Sequence, residues 1–200
     1  MKRIIKLAII CVAIAGVAIV SVHAFQRGSS SITSITTRPS NWAEPIKLAG
    51  VPNLHKVTDN LYRSAQPTSE GMSNLAKLGI KTVINLRDNH SDKDEIGDLP
   101  LNARRIEIFT ANMKDEYVEE FLSIVNDTSA VPVLVHCLHG ADRTGTMCAM
   151  YRILCQGWTP DDAISEMENG GYGYHSIWSN IPRFIRKSAK RFEAKIKPIE

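Results

Sequence analysis

From Trp42 onward, apolar positions switch repeatedly between the short period of strands and the longer period of helices. "LHKVTDNLYRSAQP" predicts a strand or hairpin closed by Pro67. "TSEGMSNLAKLG" predicts a helix with a Thr/Ser start and Gly79 as its stop. "KTVINL" (81–86) predicts a buried strand, "RDNHSDKDEIGDLP" a polar loop, and "ARRIEIF" (103–109) an alternating strand. In "KDEYVEEFLSIVND", Tyr117, Phe121, Leu122, Ile124 and Val125 fall at helical spacing. "VPVLVH" (131–136) is β-branched and continuous, as in a strand covered on both faces. A mostly apolar helix is expected from Arg143 to Cys155. In "WTPDDAISEME", Thr159 is placed as N-cap, Pro160 in the first turn and Asp162 as part of a near capping box. A last helix over about 180–196 gathers Ile181, Phe184, Ile185, Phe192 and Ile196 on one face.

Strands alternating with helices predict an α/β fold: a central, mostly parallel sheet of four to five strands flanked by helices. In such sheets ligands bind beyond the carboxyl ends of the strands. Cys137 follows the 131–136 strand and stands at such an end.

The first residues follow a different pattern. Lys2, Arg3 and Lys6 precede an uninterrupted apolar run from Leu7 to Val20. With small or β-branched residues at Val22 and Ala24, residues 1–25 fit a signal peptide or a short membrane anchor. Either predicts a domain exported to the periplasm or exterior, or tethered on the non-cytoplasmic side through residues 7–25. Residues 26–44, rich in Ser and Thr, read as a flexible linker, leaving 45–200 as the functional domain.

Composition narrows the partners. The 200 residues carry 24 basic and 21 acidic side chains, a net charge of +3, too mild to imply nucleic acid. The six histidines show no metal-ligand spacing, and no metal or cofactor is expected. Cys148 and Cys155 lie one heptad apart on an apolar helix and read as core residues. Cys137 instead precedes a loop with a single glycine and an arginine, in "HCLHGADRT".

That stretch offers specific chemistry. Five residues separate Cys137 from Arg143, enough for a loop that curls its backbone N–H groups inward. Such a nest at a helix N-terminus binds tetrahedral anions. Leu138, His139, Gly140, Ala141 and Asp142 supply the nest, and Gly140 permits the curl. Arg143 provides a bidentate fork for phosphate oxygens. The same positive field favours a thiolate at Cys137. A thiolate facing a phosphate monoester is set for in-line attack, giving a thiophosphoryl enzyme. Thr144 is placed to donate to the sulfur when it leaves.

His136-Cys137, five residues, then Arg143-Thr144 resembles the signature of the protein-tyrosine-phosphatase superfamily. "LYRSAQP" (61–67) and "VINLR" (83–87) resemble segments of the small atypical dual-specificity phosphatases, so the likeness spans roughly 45–197. It implies a cysteine-dependent phosphatase acting on phosphotyrosine or phosphoprotein, with Arg63, Arg87 and His136 near the substrate. An inositol polyphosphate or phosphoinositide substrate is the alternative. A rhodanese-like sulfurtransferase also uses a cysteine-loop-arginine cradle, but lacks these His-Cys and Arg-Thr flanks.

One departure stands out. Family members usually take a general acid from an Asp on a separate loop, and "IEIFTANMKDE" has Thr110 and Asn112 there. Asp115 is the nearest carboxyl, at a helix start. Asp142 is the other candidate, since Cys-x4-Asp-Arg-Thr resembles the loop of myotubularins and Sac-type phosphoinositide phosphatases. Asp142 also suits an N-cap of the following helix. "NGGYGYHSIW" (169–178) reads either as a lip carrying Tyr172, Tyr174 and His175 or as a plain interhelix connection.

Overall fold

The computed structural model describes residues 38–196. Six strands form one sheet: β1 (Glu44–Pro45), β2 (His55–Lys56), β3 (Leu61–Ser64), β4 (Thr82–Asn85), β5 (Asn102–Arg105) and β6 (Val133–His136). Their order is β1-β2-β3-β6-β4-β5. β3, β6, β4 and β5 run parallel, while β1 and β2 add antiparallel at one edge. The expected hairpin is β2–β3, and the four to five strands become six because β1, two residues long, is too short to show a period.

Central β6 alternates its side chains between two cores. Leu134, with Val83 of β4, faces α1 (Ser69–Leu78), where Met72 and Leu75 are fully buried. Val133 and Val135, with Ile84, face the larger core. That core is filled by α3 (Asp115–Val125), α4 (Asp142–Gln156), α5 (Pro160–Asn169) and α6 (Asn180–Ile196). α4 is buried along most of its length, with Met147, Cys148, Ala149 and Met150 in the core and Asp142, Thr144, Thr146 and Arg152 buried beside them. The expected stops and caps are present. Thr68 Oγ1 accepts from Gly71 N at 3.2 Å, Gly79 is left-handed at φ +94°, and Thr159 Oγ1 accepts from Asp162 N at 3.1 Å.

Several boundaries are corrected. The 87–100 loop contains a short helix, α2 (Lys93–Ile96), with Asp92 and Ile96 buried. The 103–109 strand is paired only over Asn102–Arg105, yet Ile106 and Ile108 still enter the core. Residues 38–44, expected in the linker, contact the rest of the domain: Ala43 is buried and Arg38 donates to Ala43 O, Gly170 O and Tyr172 Oη. The expected export signal or anchor at 1–25 lies outside the described residues. The exported or membrane-anchored localisation is corrected: among the described residues no helix is long and apolar enough to cross a membrane.

Candidate active site

Parallel β3, β6 and β4 end in register, with Ser64 and Asn85 flanking His136. Beyond this edge the chain turns through 137–141 into α4, whose 15 residues direct a partial positive charge at the turn. Cys137 is 3% exposed at the bottom of the turn.

The turn's five successive carbonyls are all held by donors. Gln66 N donates to Leu138 O at 3.2 Å, Asn53 Nδ2 to His139 O at 3.0 Å and Arg63 Nη2 to Gly140 O at 2.7 Å. Gly145 N donates to Ala141 O and Thr146 Oγ1 to Asp142 O, both at 2.8 Å. With these carbonyls held, the N–H groups across the same peptide planes, those of 139–143, face the other way, and among the described residues no backbone or side-chain acceptor meets them or the N–H of Leu138. An anion is the partner such donors lack. Gly140 is left-handed at φ +70°, and a Cβ there would come within 2.5 Å of the Ser64 carbonyl.

Arg143 reaches across the ends of β4 and β5. Its Nη1 donates to Asp88 Oδ1 at 3.1 Å, Ile108 O at 3.3 Å and Leu86 O at 3.4 Å. Among the described residues its Nε and Nη2 have no protein partner, so that edge of the guanidinium remains as a fork for two oxygens. Thr144 is fully buried, and its Oγ1 has no hydrogen-bond partner among the described residues.

Cys137 and Arg143 share a cleft of about 270 Å³ with Thr110, Leu138, His139, Asp142, His175 and Trp178. Ile177 stands on its rim, 82% exposed, and Leu138 is 44% exposed. Asp142 neither caps α4 nor points its charge at the nest. The helix is capped at Ala141 without a side-chain bond, and Asp142 instead accepts from His175. His175 N donates to Oδ1 at 3.0 Å and Nδ1 to Oδ2 at 2.8 Å. The 169–178 segment is therefore a lip of the cleft.

Other expected site residues lie behind this cleft. Arg63, expected at the substrate, is 2% exposed and supports the nest through Gly140, its guanidinium 3.6 Å from the Tyr172 ring centroid. His136 is fully buried and donates from Nε2 to Asp92 Oδ2 at 2.8 Å, so it backs the site rather than meeting substrate. Burial alone would raise Asp92, but the hydrogen bond and charge of His136, with Gln66, outweigh it and hold the carboxyl below its usual range. Arg87 donates to Gln66 Oε1 at 3.1 Å and braces the same network. Asp115, the alternative acid, is bound by Arg191 and Ser188 of α6, whose hydrogen bonds hold its carboxyl low; it is not in the cleft.

Sequence reasoning passed over Asp88, Asn53 and the pairing of His175 with Asp142. Their partners lie 55, 86 and 33 positions away, and no local spacing signals them. Among the described residues, His90, Asp92 and Glu95 are the one group with metal-ligand atoms close together, within 4.8 Å. Asp92 already accepts from Asn85, Gln66 and His136, and the group lies outside the cleft.

Comparison with known proteins agrees with this architecture. The family model described as a DSP-PTPase phosphatase fused to NAD+ kinase matches residues 40–177. The dual specificity protein phosphatase TpbA of Pseudomonas aeruginosa is 33% identical over 155 residues, 75% of this chain and 68% of TpbA. The inositol diphosphatase DSP2 of Oryza sativa is 25% identical over 125 residues, 58% of this chain and 61% of that protein. A crystal structure of a Cys-to-Ser variant of P. aeruginosa TpbA in complex with phosphotyrosine is similar at a TM-score of 0.69 and 29% identity. It covers 79% of this chain and 99% of that one. With the family match spanning more than half its length, the chain belongs to the DSP-PTPase family and is a phosphatase.

Proposed function

We propose that Cys137 is the nucleophile of a phosphotyrosine-directed phosphatase, with Arg143 and the 138–142 amides holding the phosphoryl group. Cys137 Sγ attacks phosphorus in line, forming an S–P bond as the bond to the leaving oxygen breaks. The loop N–H groups and the Arg143 fork carry the charge of the non-bridging oxygens. The proton for the leaving oxygen comes from the side of the cleft where His175 pairs with Asp142. Water then attacks phosphorus, and the buried Thr144 hydroxyl donates to the departing sulfur.

The apolar rim carries the substrate reading. Leu138, Ile177 and Trp178 line the mouth, and Phe109, next to Thr110, is 59% exposed. An aromatic ring carrying one phosphate is complementary to that collar. A polyphosphorylated inositol calls for many cations, yet among the described residues Arg143 is the one lysine or arginine lining the cleft. Three basic residues of α6 are engaged elsewhere: Arg186 with Asp161, Arg191 with Asp115, Lys195 with Glu119.

Phosphate release from phosphotyrosine peptides and from inositol polyphosphates tests this reading. Wild type is expected to turn over the peptides with the higher kcat/KM, and Cys137→Ser to turn over neither. Preference for the inositol phosphates would reverse the substrate assignment. Activity retained in Cys137→Ser would remove the nucleophile.

A further inference from the structure

We propose that His175 is the proton donor to the leaving group and that Asp142 is its positioning residue; this rests on the phosphatase reading above. The carboxyl usually sought on the separate loop is absent, since Thr110 occupies that side of the cleft. Asp142 cannot readily fill the role itself. Both its oxygens accept from His175, through the backbone N–H and through Nδ1, so both are turned to the lip.

The same geometry equips His175. Its Nδ1–H is committed to Asp142, which fixes the ring and leaves Nε2 for the substrate. The side chain is 46% exposed, and Nε2 makes no hydrogen bond among the described residues. The groups facing the ring are few. Asp142 lies on α4, and His139 of the nest stands with its ring centroid 5.3 Å away. Cys137 and Arg143 share the cleft, and Tyr174 is on the same segment.

The segment is also held rigidly enough to present a ring. Tyr172 is buried, its hydroxyl donating to Glu166 Oε1 at 3.0 Å. Tyr174 Oη donates to Trp178 O at 2.8 Å, and Trp178 N donates to His175 O at 3.0 Å, closing a turn around His175.

The steps balance without a co-reactant other than water. As the thiolate of Cys137 forms the S–P bond, the P–O electron pair passes to the leaving oxygen, which takes the Nε2 proton of the imidazolium. His175 is then neutral. In the second step Nε2 takes a proton from the attacking water as the new P–O bond forms. The S–P pair returns to sulfur, restoring thiolate and imidazolium and releasing inorganic phosphate.

The test compares aryl phosphates with poor and good leaving groups. His175→Asn keeps a donor for Asp142 but carries no acidic proton. It is expected to lose about 10²–10³-fold in kcat/KM on phenyl phosphate and less than about threefold on 2,4-dinitrophenyl phosphate. The high-pH fall in the wild-type profile should disappear in the variant, and added imidazole should restore part of the lost rate. An equal loss on both esters, or no loss, overturns the proposal. So does a selective loss in Asp142→Asn with His175→Asn unchanged, which would make Asp142 the donor. Cys137→Ser separates the two levels: release of phosphate by that variant defeats the phosphatase assignment, whatever His175 does.

Discussion

Gly140 shows how little tolerance the nest has at a single position. Any L side chain there meets two obstacles: a left-handed backbone that costs about 1–2 kcal/mol and a Cβ driven into the Ser64 carbonyl at 2.5 Å. Gly140→Ala must shift the loop, and a displacement of about 1 Å is enough to cost on the order of 10²-fold in rate. Steady-state kinetics should show that loss in kcat/KM, and an unchanged value would mean the loop can yield at Ser64 without harm. Asp88 acts on the opposite partner of the phosphate. By holding Nη1 of Arg143, it leaves the Nε–Nη2 edge free. Asp88→Ala should raise KM several-fold for every ester, whatever its leaving group, because it loosens the clamp without touching proton transfer. A leaving-group-dependent loss would give Asp88 a different role.

At the scale of elements, the nest and the lip are joined through Asn53. One amide nitrogen, Nδ2, donates to His139 O at 3.0 Å and to Tyr172 O at 2.9 Å. Asn53 holds a left-handed backbone at φ 55°, which asparagine tolerates better than most residues. Asn53→Gly keeps that conformation and deletes both bonds, with an expected cost of about 1–3 kcal/mol in stability. Denaturant melts should show it. The elements themselves were legible because each carries its own period: the strand expected over 131–136 forms over Val133–His136, and the α1 and α5 caps and the α4 helix appear where residue patterning placed them. The Cys137–Arg143 turn was legible because its chemistry is contiguous. Arg63 was not. It was expected near the substrate, and its burial depends on Tyr172 and Gly140, 109 and 77 positions later. His175 was equally hidden, because a Gly-rich segment carries no signal of the carboxylate it meets.

The whole molecule is tied together by a buried ionic centre. Glu166 accepts from Arg152 Nε at 2.8 Å and Nη2 at 3.0 Å, from Ala43 N and from Tyr172 Oη, so α4, α5, the N-terminal segment and the lip meet at one carboxylate. Burial alone would raise it, but the hydrogen bonds and charge of Arg152 outweigh burial and hold it below its ordinary 4.5. A carboxyl lowered in the folded state contributes its stability in full above about pH 4.5 and loses it as pH falls through the folded value. Glu166→Gln is therefore expected to cost ~3–5 kcal/mol at pH 7 and to lose its difference from wild type as the pH drops below about 4. Thermal melts across that range check the sign; a constant difference would place the acid sensitivity elsewhere, Asp92 being the next candidate. The N–H groups of 139–143, opposite the held carbonyls, have a consequence of another kind. Amide protons with no acceptor in the protein trade readily with solvent deuterium wherever water reaches them. Filling the nest with an oxyanion would make those five protons the slowest-exchanging part of the loop, so occupancy can be followed by the clock of isotope exchange without any turnover at all.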